Sequence, residues 1–174
     1  MKIKNIVLTV LIVVWASFIF LGSNQNSNDS NELSKEIIYN TTKETVTVTN
    51  ELQITDIELD EPYLKRVVNK WNKPVRKLAH GVEYCILGLL IILLWKNTSK
   101  KIKKGIMISV LICFIFSLTD EYHQTKVSGR TGQFQDCLID ATGASVGILL
   151  GAAIKRKKKR NKEDSVWRKE KLSS

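Results

Sequence analysis

The stretch from Val75 to Trp95 reads VRKLAHGVEYCILGLLIILLW. Beyond Glu83 it is almost wholly apolar. At 21 residues it matches the roughly 20 needed to cross about 30 Å of hydrocarbon. Its polar groups are confined to the opening turns. Arg76, His80, Glu83 and Leu87 follow at i+4, i+3, i+4 spacing and share one helix face, with Lys77 beside them. A charged side chain near the centre of a membrane helix costs about 2.5–3.5 kcal/mol on insertion scales. The pattern therefore predicts a membrane span whose charged end meets partners instead of lipid.

Three more runs of this kind flank it, at 6–21, 102–119 and 137–154. The 174 residues are near neutral in mean hydropathy only because apolar blocks and polar gaps cancel. A soluble core would show shorter alternating or helical patterns. The expected fold is all-α, a four-transmembrane-helix bundle with a long extracytoplasmic loop containing a short amphipathic helix.

The first run could also be read as a signal peptide. Phe18-Ile19-Phe20-Leu21 occupies the place where small residues would mark cleavage, which favours an uncleaved span. Orientation follows from lysines. Lys96, Lys100, Lys101, Lys103 and Lys104 separate the second and third runs, and Lys155-Arg156-Lys157-Lys158-Lys159-Arg160 follows the fourth. Short cytoplasmic segments collect Lys and Arg, so both belong inside with Lys2 and Lys4. The protein is thus expected in the cell membrane, multi-pass, with both termini cytoplasmic. Residues 1–22 form the first span, 23–74 an extracytoplasmic loop, 75–154 a three-helix core and 155–174 a basic cytoplasmic tail. The net charge of +10 is explained by topology and anionic lipid, and no nucleic-acid partner is expected. Arg76 and Lys77 lie on the outer side against the lysine rule, which points to a local task.

Within the loop, Leu33, Ile37, Thr41, Glu44 and Val48 fit one helix face, whereas Thr45-Val46-Thr47-Val48-Thr49 alternates like a strand. A lone strand would have no partner, so a helix is expected. Further on, Asp60 suits an N-cap and Pro62 a first turn. Leu64, Val67, Val68 and Trp71 then follow at helical spacing. This predicts a short amphipathic helix lying on the outer membrane surface and ended by Pro74. Cys85, Cys113 and Cys137 fall in or beside apolar runs with no CxxC pair, and read as small apolar residues.

The other polar groups lie at matching positions. Asp120, Glu121, His123 and Gln124 close the third run, so Asp120 is expected at an interface. Arg130 follows between Gly129 and Gly132, and Asp136 and Asp140 open the fourth run on one face. The topology puts them all at the outer end. Three readings compete. One is a polar network that locks the helices, helped by Gly143 and Gly147 at Gly-xxx-Gly spacing. The second is a ligand site, in which Arg76, Lys77 and Arg130 hold a phosphate or carboxylate. The third is catalysis, with His80 or His123 as base or as part of a metal site. No HExxH or nucleophile motif is present. Glu83 is expected to pair with Arg130 or Arg76.

These blocks resemble the VanZ-like family of small bacterial membrane proteins. The likeness runs through Arg76-Lys77-Leu78-Ala79-His80-Gly81-Val82-Glu83-Tyr84, Asp120-Glu121-Tyr122-His123-Gln124 and Ser128-Gly129-Arg130-Thr131-Gly132, then Asp136, Asp140, Gly143 and Gly147. Gly81 stands where the family usually has phenylalanine, and its small size is expected to loosen the outer end of that helix. The family's namesake is associated with low-level resistance to the glycopeptide teicoplanin, so the resemblance implies a bacterial cell-envelope setting. It implies no enzymatic activity and no catalytic residues.

The resulting expectation is an outer-leaflet site of Arg76, Lys77, His80, Glu83, Asp120, Glu121, His123, Gln124, Arg130, Asp136 and Asp140. It would bind an anionic ligand and contribute to glycopeptide resistance. Membrane lipid is the expected partner, with a lipid-linked cell-wall precursor or envelope protein beside it. No cofactor or resident metal is expected. Two other readings stand beside it: a membrane hydrolase or transferase using a His/carboxylate or metal site on a lipid-linked substrate, and a structural or partner-binding membrane protein.

Overall fold

The structure, a computed structural model, describes residues 3–23, 27–127 and 133–154. Among them are five helices and no strand: α1 (Ile3–Ser23), α2 (Ser27–Glu51), α3 (Glu61–Thr98), α4 (Ile102–Gln124) and α5 (Phe134–Ala153). Four of these, α1, α3, α4 and α5, are long and apolar enough to cross a membrane. The bundle they form turns apolar side chains outward, among them Met107, Leu111, Ile115, Leu149 and Leu150. So large an exposed apolar surface is a lipid-facing one. This is the four-span bundle expected from the hydropathy runs.

The centre of the bundle is the contact of α3 with α5, the most extensive in the molecule. It is close because it is built on glycine. Gly143 faces the backbone of Gly81, and Gly147 faces the backbone of Cys85. Small residues let membrane helices approach and gain dispersion contacts that larger side chains would prevent. Tyr84, Leu87, Ile92, Cys113, Ala144 and Ile148 fill the core around this seam, with Ile19 of α1. The expected loosening at Gly81 is not what the structure shows, because its backbone is half of one of the close contacts in this seam. A Cβ there would meet only Ile139, at 3.9 Å. Cys113 and Cys137 are buried and all three cysteines are free.

Outside the apolar bundle the prediction needs correction. The amphipathic segment is helical, with Asp60 accepting from the Tyr63 N–H at 2.7 Å and Pro62 in the first turn. It does not end at Pro74. Helix α3 runs unbroken for 38 residues, about 57 Å at 1.5 Å per residue, which exceeds the hydrocarbon by nearly half its length. Its first turns therefore extend beyond the length of the span. They are held by α2, which packs along them. Leu64 and Val68 of α3 and Ile38 of α2 are buried there. That burial offsets the missing hydrogen bond at Pro74.

The segment 32–60 resolves as a helix to Glu51, followed by an irregular return. The threonines that suggested a strand instead bond back to the helix: Thr45 Oγ1 donates to the Thr41 carbonyl at 2.7 Å and Thr49 Oγ1 to the Thr45 carbonyl at 3.0 Å. Asn50 clamps the return, donating to the Ile57 carbonyl at 2.8 Å and accepting from its N–H at 3.2 Å.

Candidate functional site

The polar residues singled out in α3, α4 and α5 meet at one end of the bundle. That end is where α3 enters, α4 leaves and α5 begins. Glycine contact along α3 and α5 fixes their register, so the start of α5 lies against the fifth and sixth turns of α3. Lys77 Nζ then reaches Asp136 Oδ1 at 2.7 Å. Three residues on, His80 Nδ1 lies 3.4 Å from Glu83 Oε2. Glu83 thus has His80 as a partner, where the sequence suggested Arg76 of the same helix or Arg130. His80 also lies within electrostatic reach of Asp140 and Asp120.

Deeper in, Asp140 is buried and its Oδ2 accepts from Ser117 Oγ at 2.6 Å, joining α4 to α5. Asp120 is 1 % exposed, packed inside the bundle end, and α4 continues for a full turn past Thr119. Its Oδ2 accepts from Gln124 Nε2 at 3.1 Å. Tyr84 is wholly buried beside these carboxylates. Glu121 reaches from α4 to accept the Gln133 N–H at 2.7 Å. Gln133 is the N-cap residue of α5 and has no side-chain cap of its own. Glu121 therefore satisfies one orphan donor of that helix and places a carboxylate at its positive end. His123 stacks on Phe20 of α1, ring centroids 4.4 Å apart.

Arg76 faces outward from this cluster. With Val75, Ala79, His80 and Glu83 it lines one wall of a groove of about 400 Å³. The opposite walls are Phe18, Leu21, Gly22 and Ser23 of α1, and Leu33, Ser34 and Ile37 of α2. Trp15 braces the α1 wall by donating to the Glu83 carbonyl at 2.9 Å. The groove is thus apolar on the α1 and α2 sides and charged on the α3 side.

Of the eleven predicted residues, ten lie at this end. Arg130 lies outside the described residues, as does the basic tail 155–174. The arrangement separates two groups that the sequence had pooled. Lys77, Asp120, Glu121, Gln124, Asp136 and Asp140 make contacts within and between α3, α4 and α5, while Arg76, His80 and Glu83 open onto the groove. Among the described residues, no group of three or more His, Cys, Asp or Glu is placed to hold a metal ion.

Two participants went unread in the sequence. Ser117 looked like part of an apolar run. Its signal was the stripe Ser109, Cys113, Ser117, Asp120, Gln124 at i+4, i+4, i+3, i+4, every member of which is buried. Lys96 was read only as a topology marker. Its Nζ donates to the Gly151 carbonyl at 2.8 Å, to Ala152 at 3.2 Å and to Ile154. It caps the C-terminus of α5 at the opposite end of the bundle.

A family model described as VanZ/LLP1 matches residues 8–155, from the first span through the last. The chain belongs to the VanZ/LLP1 family. Within this VanZ/LLP1 chain the match takes in α2 and the projecting part of α3 as well as the polar end. No curated protein and no solved structure is significantly similar to the chain.

Proposed function

We propose that this VanZ/LLP1 membrane protein binds the anionic headgroup of an envelope lipid in the groove between α1, α2 and α3, and thereby contributes to glycopeptide resistance. In this reading the chain lies in the cell membrane with both termini cytoplasmic. Residues 23–74 and the polar end face outward, and the basic tail lies inside. One observation carries the proposal: Arg76, His80 and Glu83 form a single charged wall opposite Phe18, Leu21, Leu33 and Ile37. An amphipathic molecule fits such a groove, its phosphate on Arg76 and His80 and its chain along the apolar side. A guanidinium suits this task because it offers paired donors to phosphate oxygens. Glu83 orients His80 through their 3.4 Å contact. Lys77 and Arg130 entered the sequence reading as further cations for the ligand. The ion pair with Asp136 gives Lys77 a bracing role instead, and the proposal assigns Arg130 none.

The test is a titration of the purified protein with a polyprenyl phosphate, read by native mass spectrometry, with phosphatidylcholine as the neutral comparison. A charged hydrogen-bonded contact is worth about 1.5–3 kcal/mol, so Arg76→Gln should weaken phosphate binding by about 10- to 150-fold and leave phosphatidylcholine unchanged. Expression in a susceptible bacterium should raise the teicoplanin concentration needed for inhibition, and Arg76→Gln should remove that increase. Equal polyprenyl phosphate affinity in wild type and variant would refute the assignment.

A further inference from the structure

The projecting part of α3 carries a feature that the groove does not use. Lys65, Arg66, Lys70 and Lys73 are all exposed. At 100° per residue they fall within an arc of about 140°. Leu64, Val67, Val68 and Trp71 occupy the other side of the same helix, where Leu64 and Val68 are buried. Arg76 and Lys77 continue the arc down to the polar end. The result is a cationic stripe running along the helix axis, about 12 Å from Lys65 to Lys73 at the helical rise.

None of these four cations makes an ion pair among the described residues. Partners are not scarce: residues 32–61 hold eight acids, including Glu51, Asp56, Glu58 and Glu61. Four neighbouring like charges repel one another, and no direct ion pair among the described residues relieves that. Their direction also matters. Because α3 is one helix from Glu61 to Thr98, the stripe leads away from the bundle rather than lying across its rim. A flat layer of lipid headgroups would touch only its base, whereas a linear chain of phosphates could follow its whole length.

We infer that this stripe is a docking surface for a linear phosphodiester polymer, such as a poly(glycerol phosphate), standing on the same side of the membrane. The phosphates bind as a ladder, with Lys65, Arg66, Lys70 and Lys73 each neutralising about one. Binding is then mainly electrostatic and releases counterions, which gives it a steep salt dependence. The physiological side rests on the outward orientation proposed above. The binding itself does not.

The experiment uses the full chain in nanodiscs of zwitterionic lipid, titrated with soluble poly(glycerol phosphate) over a range of salt concentrations. The comparison is the combined variant Lys65→Gln, Arg66→Gln, Lys70→Gln, Lys73→Gln, whose folding is confirmed by unchanged helicity and thermal unfolding. At single-strand charge density each phosphate contact adds about 0.7 to the slope of log affinity against log salt. Four contacts should therefore flatten the slope by up to about 3, with at least a tenfold loss of affinity in low salt. The same variant should keep its polyprenyl phosphate affinity, so failure of the stripe and failure of the groove are told apart. Unchanged polymer binding in the variant overturns the inference. Equally tight binding of polyglutamate of matched charge overturns it in favour of an acidic protein partner. Loss confined to vesicles containing phosphatidylglycerol overturns it in favour of a lipid surface.

Discussion

Replacing Gly147 by alanine tests the central packing claim with one methyl group. A Cβ built at this position would lie 2.7 Å from the carbonyl carbon of Cys85 and 3.0 Å from its Cα, and its oxygen would be closer still. All three are backbone atoms of α3, so no rotamer change relieves the overlap. The helices must separate by several tenths of an ångström or more. Overpacking of this kind costs about 1–3 kcal/mol. Alanine also gains up to about 1 kcal/mol over glycine in a helix, which sets the two effects against each other. Because the overlap is with backbone, the cost should win, and separation would also lengthen the Lys77–Asp136 contact between the same two helices.

Two further glycines calibrate the result. At Gly151 the nearest atoms are side-chain ends of Ile92 and Leu89, which can shift, and at Gly22 nothing lies within 4 Å. Denaturant unfolding in a fixed detergent should therefore rank the variants Gly147→Ala least stable, Gly151→Ala intermediate, and Gly22→Ala equal to or above wild type. A Gly147→Ala protein as stable as Gly22→Ala would refute the backbone-contact account of α3 and α5.

Two other expectations follow from named contacts. Ser117→Ala removes the hydroxyl donated to buried Asp140 at 2.6 Å and should cost about 1–3 kcal/mol by leaving that carboxylate unsatisfied. The double variant Ser117→Ala, Asp140→Leu should recover part of the loss in the same unfolding assay, and no recovery would mean the serine acts elsewhere. Lys96→Met removes the cation that binds the last carbonyls of α5. It should raise hydrogen exchange in the final turn of α5 while leaving the start of α5 protected, and uniform protection throughout would show that the cap is idle.

The part of the site legible in the sequence was the part set by local periodicity. Arg76, His80 and Glu83 share a face by their spacing alone, and the structure places them on one groove wall. Asp60 and Pro62 announce a helix start by chemistry confined to one turn. Ser117 was legible in principle, as one member of a buried stripe, yet hydropathy averages it into its neighbours. Pro74 misled because its local effect is real: it removes one hydrogen bond. A single residue cannot reveal that α2 will cover the adjoining apolar face.

By itself the sequence determined four spans and the clustering of charge at their matching ends, because the cost of placing charge in lipid acts on each helix separately. Only the tertiary structure decided that α3 is continuous, that Glu121 caps α5 from a neighbouring helix, and that Lys77 meets Asp136 while Arg76 faces a groove. Those outcomes depend on the register of α3 against α5. Close contact between glycine and the facing backbone sets that register, and no hydropathy pattern along one chain encodes which atoms of two helices will touch.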